Sequence, residues 1–289
     1  MNGEIRSIMA AVDRDGGRAK RVAVKAATLA HMTGARLEFF SCDAETAFSG
    51  QHQYEREAAV RARESCLRTS RQYLEKLRRE VATNGVEISL SVACESPLYE
   101  SIVRAVRRSR PDIVIRGAAA GAPLDPNDWE LVRACPAPLL LTRGQAWKAQ
   151  PVIAAAIDVS PGESADLTRA ILRAAAGMAA LAGGTVEVMH AGQPDAALAP
   201  DFDIRRATLA ERAREAGLEG VECHVVAGEP AAALRELATR RNFDLIVLGA
   251  LTHRKSLTAL VGTLTGRLIE SLDTDFLLVK PPACAPNAA

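Results

Sequence analysis

Aromatic side chains are scarce, 4% of 289 residues, and no uncharged apolar stretch approaches the length of a membrane span. The first residues, Met-Asn-Gly-Glu-Ile-Arg-Ser, have neither the basic region nor the apolar segment of a secretory signal, so the expectation is a cytoplasmic protein with reduced thiols. The cysteines at 42, 66, 94, 135, 223 and 284 stand far apart, with no Cys-x-x-Cys pair and no close pair of histidines, which removes the usual zinc and dithiol motifs; no metal site is expected. Charge of one sign is missing as well. A formal net charge of +1 provides no global field to recruit nucleic acid or an anionic membrane. The basic run from Arg61 to Arg79 is interleaved with Glu64, Leu67, Tyr73, Glu75 and Leu77 and reads as a solvated helix face. No serine sits in a nucleophile-elbow sequence, and no carboxylate pair or histidine cluster is placed by motif for acid–base work. A dedicated enzyme is therefore not expected.

What is present is alanine-rich, 48% hydrophobic and long enough for two domains of ordinary size. Short apolar runs at Ser7 to Val12, Ala35 to Cys42, Val86 to Ala93, Asp112 to Arg116 and Leu139 to Thr142 read as strands. Between them, helical periodicity covers Lys20 to Met32, Gln53 to Thr83, a segment opened by Ser96 as N-cap with Pro97 in its first turn, and Asp128 to Arg133. Gly16-Gly17 reads as a turn, and Gly34 as a helix C-cap. The order then repeats. Val152 to Ile157 and Asp158 match the first strand and Asp13, 145 positions earlier. Ala165 to Leu181, Asp203 to Ala216 and Pro230 to Arg241 read as helices, alternating with strands at Val186 to His190 and Val221 to Val226. Arg143 to Pro151 is the linker. Strands alternating with helices argue for a parallel sheet covered on both faces, here in two copies, domains 1–146 and 147–289.

The second copy ends in the most informative stretch, Asp244 to Pro281. Leu245 to Leu248 is a short buried strand reaching Gly249, Leu264, Leu268, Ile269 and Leu272 mark a helix, and Phe276 to Val279 is another strand. In open parallel sheets ligands collect beyond the carboxyl ends of the strands, and free N–H groups at a helix start favour anions. Gly249 permits close backbone approach, and Gly262-Thr263 can present N–H groups and a hydroxyl. The basic run His253-Arg254-Lys255 is either a solvated loop face or a counter-charge for phosphate.

The spacing Gly249, two residues, Thr252, nine residues, Gly262-Thr263 resembles the nucleotide loop of the universal stress protein family, with Thr252 where that family has a second glycine. Further residues resemble the same family: Val12-Asp13 and Ile157-Asp158-Val159-Ser160 at the first strand ends, Val188-Met189-His190-Ala191 at a second strand end, and Asp128 to Pro138, which is similar to the first-domain ending of its tandem, E-type branch. The resemblance implies an α/β fold of two tandem five-stranded, doubly wound, Rossmann-like domains forming a pseudo-dimer through their fifth strands, with further homodimerisation open. It implies a stress-response or regulatory protein binding ATP or AMP, with or without magnesium, through Asp158, Val159, Ser160, His190, Gly249, Thr252, His253, Gly262 and Thr263. The first copy lacks the Gly-Thr pair and has 22 positions from Gly117 to Leu139 against 27 from Gly249 to Phe276, so its loop is degenerate and nucleotide is expected in the C-terminal domain alone. Each residue keeps a second reading: Asp158 as the cap of its own turn, His190 as a half-buried strand-end residue. The alternative function is a nucleotide-free scaffold, or a carrier of an apolar, lipid-like ligand in interdomain clefts.

Overall fold

The computed structural model describes residues 5–43, 56–81, 85–119, 122–160, 162–192, 200–250 and 264–281. The chain divides into two compact units, Glu4–Ala146 and Trp147–Ala289. In the first, the described elements run β1 (Ser7–Ala11), α1 (Gly16–Thr33), β2 (Arg36–Cys42), α2 (Arg56–Glu80), β3 (Ile88–Ala93), α3 (Leu98–Ser109), β4 (Ile113–Gly117), α4 (Pro126–Ala134) and β5 (Leu139–Thr142). Its strands lie in the order β3-β2-β1-β4-β5, every neighbouring pair parallel. The second unit repeats this with β6 (Val152–Ala156), α5 (Ala165–Ala182), β7 (Thr185–Gly192), α6 (Pro200–Glu215), β8 (Glu222–Ala227), α7 (Pro230–Arg241), β9 (Leu245–Gly249), α8 (Leu264–Ser271) and β10 (Asp275–Val279), in the order β8-β7-β6-β9-β10. This is the doubly wound α/β fold expected from the sequence, in tandem.

The reason lies in the central strands. Ile113, Val114 and Ile115, like Leu245, Ile246 and Val247, are fully buried, as a strand covered on both faces requires. Helices supply the covering layers, and α1 and α5 end on Gly34 and Gly183 at φ of 68° and 62°, the left-handed cap that glycine adopts without a Cβ clash. At the opposite end, Asp112 accepts from the backbone N–H groups of Arg6 and Ser7 at 2.9 Å, closing β4 onto β1 across 105 residues or more. Asp244 does the same for the second unit, accepting from Val152 N at 2.9 Å.

Two local expectations are corrected. Gly16 and Gly17 form the first turn of α1 rather than a separate turn, where glycine's helical penalty is smallest because the first N–H groups need no partner within the helix. Pro97 itself occupies the N-cap of α3, without a side-chain cap, so Ser96 is one residue outside.

Candidate functional site

In the second unit the strand order reverses at β6, whose neighbours β7 and β9 lead to opposite sides of the sheet. Beyond the carboxyl ends of these strands lies a cavity of about 150 Å³, lined by Asp158, His190 and Gly249 together with residues of α5, α7 and α8. Three of the residues expected from the sequence are thus brought together.

Asp158 directly follows the β6 end and is half-exposed. Its Oδ1 accepts from Ser160 N at 2.8 Å, so it does cap its own turn while the residue lines the cavity. His190 is buried, 2% exposed, with Nδ1 at 3.2 Å from the Ile157 carbonyl and Nε2 at 3.1 Å from Arg205 Nη1. Arginine can only donate, so Nε2 accepts and Nδ1–H donates, which fixes one neutral tautomer. Burial pushes the imidazole below its ordinary pKa, against the pull of Asp158 and the Ile157 carbonyl, while the nearby Arg205 adds to the depression. Both ring nitrogens are therefore committed to protein partners, which positions the ring as a wall of the site rather than as a proton carrier.

The depressed pKa has a measurable consequence. A histidine whose folded pKa lies below its unfolded one adds no penalty above pH 6.5 and destabilises the folded unit as pH falls from there towards the folded value. The slope for one such proton is at most about 1.4 kcal/mol per pH unit. Urea unfolding of the full chain, followed by hydrogen exchange of the β6 and β7 peptides at pH 7.5 and 5.5, is expected to show a smaller acid loss in His190→Asn than in the parent. Equal losses would reject the burial argument.

Gly249 serves packing. A Cβ there would stand 2.9 Å from Leu167 Cδ2, so its absence lets α5 settle on the strand end, and the Gly249 carbonyl accepts from Thr265 Oγ1 at 3.2 Å. Val159 and Ser160 belong to the turn after β6 and are not among the lining residues. Thr252, His253, Gly262 and Thr263 lie outside the described residues. The aliphatic lining, Leu167, Ile171, Leu234, Leu248, Leu264 and Leu268, was visible in the sequence only as helix and strand core, and Arg205 was not singled out at all.

The first unit treats the equivalent space differently. Parallel registers make Arg116 of β4 the counterpart of Leu248, since Val114 faces Leu139 as Ile246 faces Phe276. Arg116 is 2% exposed, its Nη1 donates to Asp13, and its Nε donates to Asp128 Oδ1 at 2.8 Å. Asp13, the counterpart of Asp158, also meets Arg18 at 2.9 Å, and Asp128 stands where the second unit has Thr265. Burial opposes the Arg116 charge, but the carboxylates of Asp128 and Asp13 outweigh it and hold the guanidinium above its ordinary pKa. Burial pushes the Asp128 carboxyl up, with Arg116 opposing. An ion triad thus fills in one unit what the other lines with leucine and threonine. The signal in the sequence was the single charge ending Asp112-Ile-Val-Ile-Arg116.

A second polar cluster, Glu187, Glu222 and His224, joins β7 and β8. His224 Nε2 lies 2.7 Å from Glu187, while Arg241 at the end of α7 donates to both Glu187 oxygens and to Glu222 at 2.6 Å. With the guanidinium already on those oxygens, one of the two carboxylate charges is offset from within the protein.

Residues 152–280 match the universal stress protein family model. Among curated relatives, the chain is 25% identical over 223 residues to universal stress protein E of Photorhabdus laumondii, covering 68% of this chain and 70% of that one. The Escherichia coli K12 protein of the same name is 24% identical over 219 residues, covering 68% and 69%. A crystal structure assigned to the universal stress proteins, from Pseudomonas aeruginosa UCBPP-PA14, superposes with a TM-score of 0.71 at 25% identity over 96% of this chain and 94% of that one. The tandem fold and the match over residues 152–280 agree, and the second unit belongs to the universal stress protein family, whose strand order the first unit repeats.

Proposed function

We propose that the C-terminal unit binds an adenine nucleotide, ATP or AMP, and that the protein serves as a ligand-responsive stress or regulatory protein rather than as an enzyme. The observation that carries this reading is the cavity at the β6 switch point, bracketed by Asp158 and His190. Its described lining is aliphatic with Asp158 and Glu163 as the charged members and no lysine or arginine. That chemistry suits a flat base, with the Asp158 carboxylate as acceptor for a ribose hydroxyl or an exocyclic amine. Two carboxylates repel a phosphate tail, so the tail would be met by the segment containing Thr252, Gly262 and Thr263, and magnesium would enter only with it. The Arg116 triad supports a single site per chain, because the equivalent space of the first unit already holds a charged side chain and its partners.

One observation favours a second reading. Seven leucine and isoleucine side chains line the cavity, a surface that an apolar ligand would cover equally well. Mass spectrometry of small molecules released from protein purified without added nucleotide separates the two, followed by calorimetry with ATP, AMP and adenosine. One equivalent of an adenine compound per chain, with adenosine keeping much of the ATP affinity, is the expected result; a released fatty acid with no heat from any adenine compound would overturn it.

A further inference from the structure

Three cysteines converge at the carboxyl ends of β2 and β3 in the first unit. Cys42 closes β2 opposite Ala93, Cys94 follows β3, and Cys66 faces them from α2. All are free thiols. Cys66 and Cys94 pack against one another with Leu67 beside them, 5% and 2% exposed, whereas Cys42 is half-buried and donates to the Glu95 carbonyl at 3.2 Å. Cys66 donates in turn to the Asp43 carbonyl at 2.9 Å, and its side chain packs on that of Cys94. Cys66 is thus the thiol presented from the helix and Cys94 the sulfur packed against it, the pairing that attack and resolution within one site require. Burial, with the hydrogen bond to Cys66, pushes Cys94 up to about 12, which keeps it the proton-bearing partner. Arg63, one turn earlier on α2, adds a cation whose field reaches the pair.

We propose that Cys66 and Cys94 form a redox-responsive pair that a hydroperoxide converts to a disulfide. The Cys66 thiolate attacks one peroxide oxygen, the O–O bond breaks, and the other oxygen leaves as alcohol or water with the proton Cys66 gave up; Cys66 is then a sulfenic acid. The Cys94 sulfur attacks that sulfur, the S–S bond forms, the S–O bond breaks, and hydroxide departs as water with the Cys94 proton. Each sulfur loses one electron and the peroxide gains two. The bond would tie α2 to the end of β3 across 28 residues, adding a covalent link to a helix otherwise held by packing.

The test uses the full chain, reduced, treated with hydrogen peroxide, alkylated and digested with trypsin without reductant. Tryptic cleavage separates the three thiols, Cys66 in residues 64–68, Cys94 in 80–104 and Cys42 in 37–56. The expected result is loss of two alkylatable thiols per chain and a cross-linked species of peptides 64–68 and 80–104 that dithiothreitol reverses. Cys66→Ser and Cys94→Ser each remove it, and Cys42→Ser leaves its yield within twofold. Circular dichroism spectra matching the parent confirm that the serine variants are folded, and Cys→Ala versions replace any that are not. Thiols that all stay alkylatable under a tenfold excess of peroxide, or cross-links spread evenly over Cys42, Cys135 and Cys223, would overturn the pairing.

Discussion

Arg116→Leu is expected to cost the first unit about 3–5 kcal/mol, the range for removing one member of a buried ion group. Asp13 would keep Arg18 as a partner at 2.9 Å, but Asp128, 3% exposed in its side chain, would lose its cation while still walled off from water. Its carboxyl, already pushed up by burial, would then take a proton and limit the loss. The double variant Arg116→Leu with Asp128→Thr recreates the Leu248 and Thr265 pair of the second unit and is expected to recover more than half of the deficit, since removing both charges together avoids the stranded carboxylate. Urea unfolding read by hydrogen exchange of the β1 and β4 peptides measures the first unit by itself, because a two-unit chain need not unfold in one step. A single-variant loss below about 1 kcal/mol, or a double variant no better than the single, would mean that the triad is not a stabilising element.

The reciprocal exchange has the larger consequence for ligand. Leu248→Arg places a guanidinium in the cavity beside Asp158, as Arg116 stands beside Asp13, and is expected to weaken adenosine and ATP alike by at least about 100-fold, or about 2.7 kcal/mol. Thr265 offers a hydroxyl where the first unit has Asp128, so the introduced charge lacks the buried carboxylate that pairs Arg116 from the last helix, and the side chain fills space the base would use. Leu248→Met keeps an apolar group of similar volume and is expected to bind within about threefold of the parent. Calorimetry on both variants decides the matter; undiminished adenosine binding by Leu248→Arg would remove the cavity from the nucleotide site.

These exchanges rest on a comparison that the sequence supports only in part. The strands were legible because Ile113 to Ile115 and Leu245 to Val247 are unbroken branched runs, and the helices because their apolar residues recur at helical spacing. Asp158 and His190 were expected at the site from the family resemblance of their strand-end motifs, and both line the cavity. The Arg116–Asp128 pair was not: the partners are 12 residues apart on different elements, and their contact depends on α4 returning over the end of β4. Leu167 and Leu234 have the same character, since periodicity marks them as inward-facing but does not distinguish a core wall from a cavity wall. Gly249 was read as room for a ligand, and the described neighbour in that room is Leu167.

The closure of β4 onto β1 by Asp112 has a consequence for the order in which the chain is made. The innermost strand of the first unit gains its second neighbour only after 105 further residues have been synthesised, about 5–20 s at usual elongation rates. The second unit waits similarly, with 92 residues between Val152 and Asp244. During each interval β1 or β6 emerges from the ribosome with one apolar edge unpaired, the state in which a nascent chain is most exposed to chaperones and to mispairing with its own duplicate. Because the first unit can finish before β9 exists, synthesis itself separates the two look-alike edges in time.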